Sequence, residues 1–155
     1  MPRKATLHQE LESWRSLPPL APRELLGVWE AGFATRGSLF TVLLEQTSWW
    51  GKVFRTADDV DALVFGRPTS FPGLVNHALI APWRLPEDRR LVRHPLGAAR
   101  LRDHRFGGVS SAAMVYRYLP IVDHFRRLDE GRVMGLMEIG GSGKPELFFT
   151  LERAT

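Results

Sequence analysis

Hydrophobic positions along this chain change period several times, and each change predicts an element. In Thr6–Ser16 the apolar residues Leu7, Leu11 and Trp14 recur at helical spacing, which predicts a short amphipathic helix. Leu17-Pro18-Pro19-Leu20-Ala21-Pro22 cannot continue it, because proline lacks the amide donor and clashes with the preceding turn. Leu25–Phe33 suits a strand. Ser38–Gln46 carries Leu39, Val42, Leu43 and Gln46 on one stripe and reads as a helix opened by Gly37-Ser38. Trp49–Phe54 is strand-like, and Thr56-Ala57-Asp58-Asp59-Val60 reads as a capped helical turn leading to Leu63 and Phe65.

Five of the eleven prolines fall between Pro68 and Pro95, so no long helix fits there and any strand is short or at an edge. Beyond Leu96 the pattern becomes regular. Ala98–Phe106, Val109–Tyr118, Ile121–Leu128, Arg132–Ile139 and Glu146–Leu151 are strand-length runs. Gly107-Gly108, Leu119-Pro120, Asp129-Glu130-Gly131 and Gly140-Gly141-Ser142-Gly143 separate them, as tight turns separate the strands of an antiparallel meander. The economical architecture is mainly β: residues 1–24 form a helical arm and proline-rich linker, and residues 25–155 form one antiparallel β-barrel with one or two short helices.

Composition narrows the chemistry. The 155 residues, 44% hydrophobic and 25% charged, describe an ordinary folded domain with a single core. No cysteine is present, which removes disulfides, thiolate metal sites and cysteine nucleophiles. No apolar run approaches the roughly 20 residues of a membrane span, and the basic start Met1-Pro2-Arg3-Lys4 leads into no apolar signal core, so a cytoplasmic protein is expected. Arg84–Arg105 holds seven arginines against three acids, a local excess equal to the whole chain's net +4. Such a run reads first as a solvated face. Only Trp83 and Phe106 stand near it as stacking aromatics, which argues against a nucleic-acid groove.

Candidate catalytic motifs mostly dissolve on inspection. Gly140-Gly141-Ser142-Gly143-Lys144-Pro145 fails as a phosphate loop, because Glu138 stands at the first glycine position and Pro145 at the Ser/Thr position. The five histidines show no ligand spacing, so no metal is expected. Alternation through Ile121–Arg126 puts Asp123 and Phe125 on one face and His124 and Arg126 on the other, so Asp123 and His124 do not pair, and a haem site needing an inward His124 is disfavoured. If the first face is interior, Asp123 is a carboxylate among apolar groups, either tied to a cation or poised as a polar anchor or acid/base group.

Gly27-Val28-Trp29, Trp49-Trp50-Gly51-Lys52-Val53-Phe54 and the string from Met114 through Tyr116, Pro120, Ile121, Asp123, Phe125 and Arg126 together resemble the bacterial GXWXG proteins and their companion domain of unknown function. The resemblance runs from about Leu17 to Arg153. Ala31 stands where the motif's last glycine would be, and Trp50, Arg117 and Glu138 replace the family's usual tyrosine and two aspartates. The G-x-W with an arginine on the last strand is also similar to the lipocalin and fatty-acid-binding (calycin) pattern. That likeness implies an Arg153 guanidinium within about 6 Å of the Trp29 ring.

The reading that follows is a calycin-like barrel binding a small, largely apolar ligand, lipid or fatty-acid-like, with no cofactor and with room for a homodimer. Trp50, Phe54, Met114, Phe125 and Met137 would line the cavity, and Lys52, Tyr116, Asp123 or Arg126 would fix a polar head. The rival is a cavity enzyme of isomerase or hydratase type using Asp123 with Tyr116 or Lys52.

Overall fold

The computed structural model describes residues 7–33, 49–66 and 84–154, and all statements below concern these. The expected helix at Ser38–Gln46 lies outside them. Nine strands form one sheet: β1 (Gly27–Phe33), β2 (Trp49–Thr56), β3 (Asp59–Phe65), β4 (Val92–Arg93), β5 (Ala98–Phe106), β6 (Val109–Tyr116), β7 (Ile121–Asp129), β8 (Arg132–Ile139) and β9 (Leu147–Arg153). All pairings are antiparallel, and β1–β9 together with β2–β3 close eight strands into a barrel, with β4 as a short flap on β3. Glycine supplies the β5–β6 turn, where Gly107 and Gly108 take φ of +60° and +83°, values costly for residues with a Cβ.

Thr56–Val60 is not a helical turn. Thr56 pairs with Asp59, making a two-residue β-hairpin, and the Thr56 hydroxyl accepts the Asp58 N–H at 3.3 Å. The same Thr/Asp chemistry caps helices and closes β-turns, and the apolar run that follows decided for strand.

Several strands are apolar on both faces, and the structure gives the reason. Helix α1 (Leu7–Ser16) lies on the outside of the barrel, where Trp14 packs with Phe106, Met134, Leu136 and Phe148. On another side Leu85 and Leu91 cover Val53 and Val64. Strands β8 and β3 are thus sandwiched, and read as continuous apolar runs rather than alternating ones.

The proline-rich segment after α1 completes the sheet. Strands β6 and β7 register only through Ala113–Val115. Beyond that, the Leu20 carbonyl accepts the Ala112 N–H (2.8 Å) and the Pro18 carbonyl the Arg127 N–H (2.9 Å). A chain of prolines cannot donate to a ladder, but its carbonyls accept, and here they satisfy amides the parting strands leave. The chain then crosses one end of the barrel as a 3₁₀ turn (Pro22–Leu25) reaching β5 and β6, with Leu20 and Leu25 buried. That end is closed. The opposite end is where β6 finishes and β7 begins.

Candidate functional site

Three polar side chains meet inside the barrel, and alternation aims each of them there. Lys52 comes from β2, Tyr116 is the last residue of β6, and Asp123 is the third of β7. Lys52 and Asp123 are each 1% exposed. The Lys52 ammonium lies 3.1 Å from Asp123 Oδ2, and donates to the Ala62 carbonyl at 3.3 Å and the Tyr116 hydroxyl at 3.4 Å. Rings of Trp49, Phe149 and Tyr116 surround the ammonium at 5.1, 5.2 and 5.6 Å, within cation–π range. Asp123 is flanked across the sheet by Met114 and Met137. Beneath, Phe54, Phe125, Phe149 and Trp49 pack edge to face in an unbroken chain. Gly135 makes this packing possible, since a Cβ there would lie 2.3 Å from the Phe149 ring.

Burial sets the electrostatics. It pushes the Asp123 carboxyl above its ordinary range, against the pull of the Lys52 charge, and it pushes Lys52 down, against the pull of Asp123. The Tyr116 phenol is driven well above its usual value, first by burial and then by the Asp123 charge, so it is a hydrogen-bond donor and not a phenolate. Asp123 Oδ1 is buried with no partner among the described residues. The arrangement can anchor a polar group, and the opposed shifts of Asp123 and Lys52 narrow the gap between an acid and a base in contact.

On β1, Trp29 stands directly between Lys52 of β2 and Arg153 of β9 as a cross-strand partner of both. The guanidinium carbon stands 4.3 Å from the indole centroid, and the guanidinium donates to the Leu26 and Glu24 carbonyls at 2.9 and 3.0 Å. The Trp29 indole donates to the Leu25 carbonyl at 2.7 Å. Gly27 adopts φ +128°, and a Cβ there would sit 2.8 Å from the Arg153 guanidinium. The glycine and tryptophan of G-x-W thus serve one construction.

Comparison with known proteins agrees with these residues. The family model described as GXWXG protein matches residues 12–69, and that described as Domain of unknown function (DUF4334) matches residues 97–153. The chain belongs to the GXWXG family. A crystal structure of a protein from Thermomonospora curvata is similar, with 30% identity over 98% of this chain and 90% of that one, and a TM-score of 0.76. No curated protein matches.

Two residues expected at the site of this GXWXG protein lie elsewhere. Trp50 packs on the outer side with Val53, Val64, Leu85 and Leu91, because register shifts along β2 leave Trp49 inside and turn its neighbour out. Arg126 also points out. Its guanidinium lies 4.3 Å from the Trp14 ring centroid and donates to the Leu17 carbonyl at 2.9 Å, so it fastens the end of α1 to the barrel. Phe54, Met114, Phe125 and Met137 are in the main core cluster with Tyr116.

Two charged clusters of this GXWXG protein escaped sequence reasoning. His124 is on the outer face as expected, yet it is buried, its Nε2 2.9 Å from Glu138 Oε1 and its ring against Phe106 and His104. Glu138 Oε2 accepts the Gly143 N–H of the next hairpin at 2.6 Å. Asp61 accepts from Arg55 (2.7 Å) and Arg93 (3.2 Å), and Arg55 also pairs with Glu87. A lone acid inside Val60–Phe65 was the available signal for Asp61. For His124 the signal needed was the β7–β8 register, in which Glu138 stands opposite Val122, two residues away on the same face. Of the basic run, Arg90, Arg93 and Arg102 pair with Asp88, Asp61 and Asp58. Arg100 instead lines an outer surface pocket of about 340 Å³ with Val115, Tyr116, Arg117 and Tyr118. No group of acids and histidines suited to a metal ion occurs among the described residues.

Proposed function

We propose that the barrel binds a small, largely apolar molecule and holds its one polar group at Lys52, Tyr116 and Asp123. The observation that carries this reading is Asp123 Oδ1, a fully buried acceptor with no partner among the described residues, walled by two methionines and an aromatic cage. Methionine is the side chain that adapts most readily to a guest of variable shape. An ion pair buried for stability alone is a poor investment, since packed apolar residues do as well. Asp123 lies two residues inside the start of β7, about 7 Å from the rim at ~3.3 Å per residue, within reach of a small molecule entering at that end.

Native mass spectrometry of the purified protein tests this, together with titration by the apolar dye N-phenyl-1-naphthylamine. A retained organic mass, or saturable one-to-one dye uptake that Met114→Trp weakens, is the expected result. Neither a retained mass nor saturable uptake would overturn the proposal.

A further inference from the structure

The hydrogen-bonding capacity left at the triad specifies the polar group, and this inference rests on the binding reading above. An ammonium has three protons, and Lys52 has three acceptors within reach: Asp123 Oδ2, the Ala62 carbonyl and the Tyr116 hydroxyl. Lys52 therefore has no donor to spare. The Tyr116 oxygen accepts from Lys52, and its own proton has no acceptor among the described residues. Asp123 spends Oδ2 on Lys52 and keeps Oδ1. What remains is one donor, the Tyr116 O–H, and one acceptor, Asp123 Oδ1. The two charges already neutralise each other.

The geometry points to a neutral ligand whose polar end both accepts and donates, an aliphatic alcohol, rather than a fatty-acid anion. A hydroxyl accepts from Tyr116 and donates to Asp123 Oδ1, leaving neither unpaired. A carboxylate offers acceptors only. It would face Asp123 Oδ1 with like charge in an apolar surround, and Lys52 could answer it only by giving up a bond it already makes. An ether of the same tail satisfies Tyr116 and strands Oδ1. This departs from the lipid-carboxylate site that the calycin likeness suggests.

Calorimetric titration at neutral pH with 1-octanol, octanoate and methyl octyl ether, repeated with six- and ten-carbon tails, tests the inference. Expected is 1-octanol binding about tenfold or more tighter than octanoate, with the ether weaker than the alcohol. Tyr116→Phe, which removes only the hydroxyl, should weaken the alcohol about tenfold while tryptophan fluorescence reports an unchanged fold. Octanoate binding as tightly as octanol, or an alcohol affinity indifferent to Tyr116→Phe, overturns the inference and leaves the binding reading standing. If no tail of any length binds and the dye of the previous test is also refused, the binding reading itself fails.

Discussion

A lysine and an aspartate, each 1% exposed and 3.1 Å apart, make unequal demands on stability when removed singly or together. Lys52→Met leaves Asp123 among methionines and aromatics, where it must take up a proton or break the packing. Asp123→Leu leaves the ammonium with only the aromatic cage and two neutral acceptors. Each single change should cost on the order of 3–5 kcal/mol, and the double change should be near neutral or stabilising. Denaturant unfolding of the four proteins checks this, and a double variant less stable than either single would contradict it. His124 gives a pH dependence. Burial holds its imidazole below the usual 6.5, with Glu138 opposing. The unfolded chain therefore takes up a proton before the folded one does. Stability from this residue is complete above about pH 6.5 and is lost as pH falls through the folded value, by at most about 1.4 kcal/mol per pH unit. Urea midpoints should drop between about pH 7.5 and 5.5, and the drop should shrink in His124→Gln, which keeps a donor for Glu138. The same drop in both proteins would assign it elsewhere, His94, also held down by burial, being the next candidate.

At the scale of elements, the β1–β9 seam rests on a side-chain stack. Trp29→Ala should cost on the order of 3–5 kcal/mol, as a fully buried ring does. Arg153→Ala should cost less, since the residue is partly in solvent and part of its contact is the stem. Thermal or denaturant melts rank the two, and an Arg153 effect equal to that of Trp29 would mean the guanidinium and not the ring holds the seam. Elements were the most legible scale in the sequence. Ala98–Phe106 and Arg132–Ile139 stand where alternation and glycine turns put them, because both signals are local. What alternation could not reveal is which outer faces are covered. Arg126 looked like an available cation because nothing near it in sequence announces that Trp14 and Leu17 come back to it across more than a hundred residues. The outward turn of Trp50 is hidden for a related reason, as a register shift is a property of two strands and not of one.

For the whole molecule, the two family models that match it, over residues 12–69 and 97–153, are halves of one barrel. The first contributes β1, β2 and β3, and the second all of β5 to β9, so each is joined to the other at two seams, β1–β9 and β3–β5. Neither half could close a sheet alone. The triad shows the same division, with Lys52 from one half and Asp123 and Tyr116 from the other. This is why the site was only partly legible. Each residue could be nominated from its own strand, but the spent and unspent hydrogen bonds exist only once the halves meet.

The seam also carries a consequence for how the protein is made. Arg153 reaches back to the Leu26 carbonyl across 127 residues. On a ribosome adding roughly 5–20 residues per second, β1 waits about 6–25 s for its partner. Until then, one edge of β1 and the face of Trp29 stand open, the kind of edge that pairs with a neighbouring nascent chain if left unattended. The barrel is thus sealed by the strand that synthesis reaches last among the nine, and a chain cut within β9 would lose far more than the residues removed.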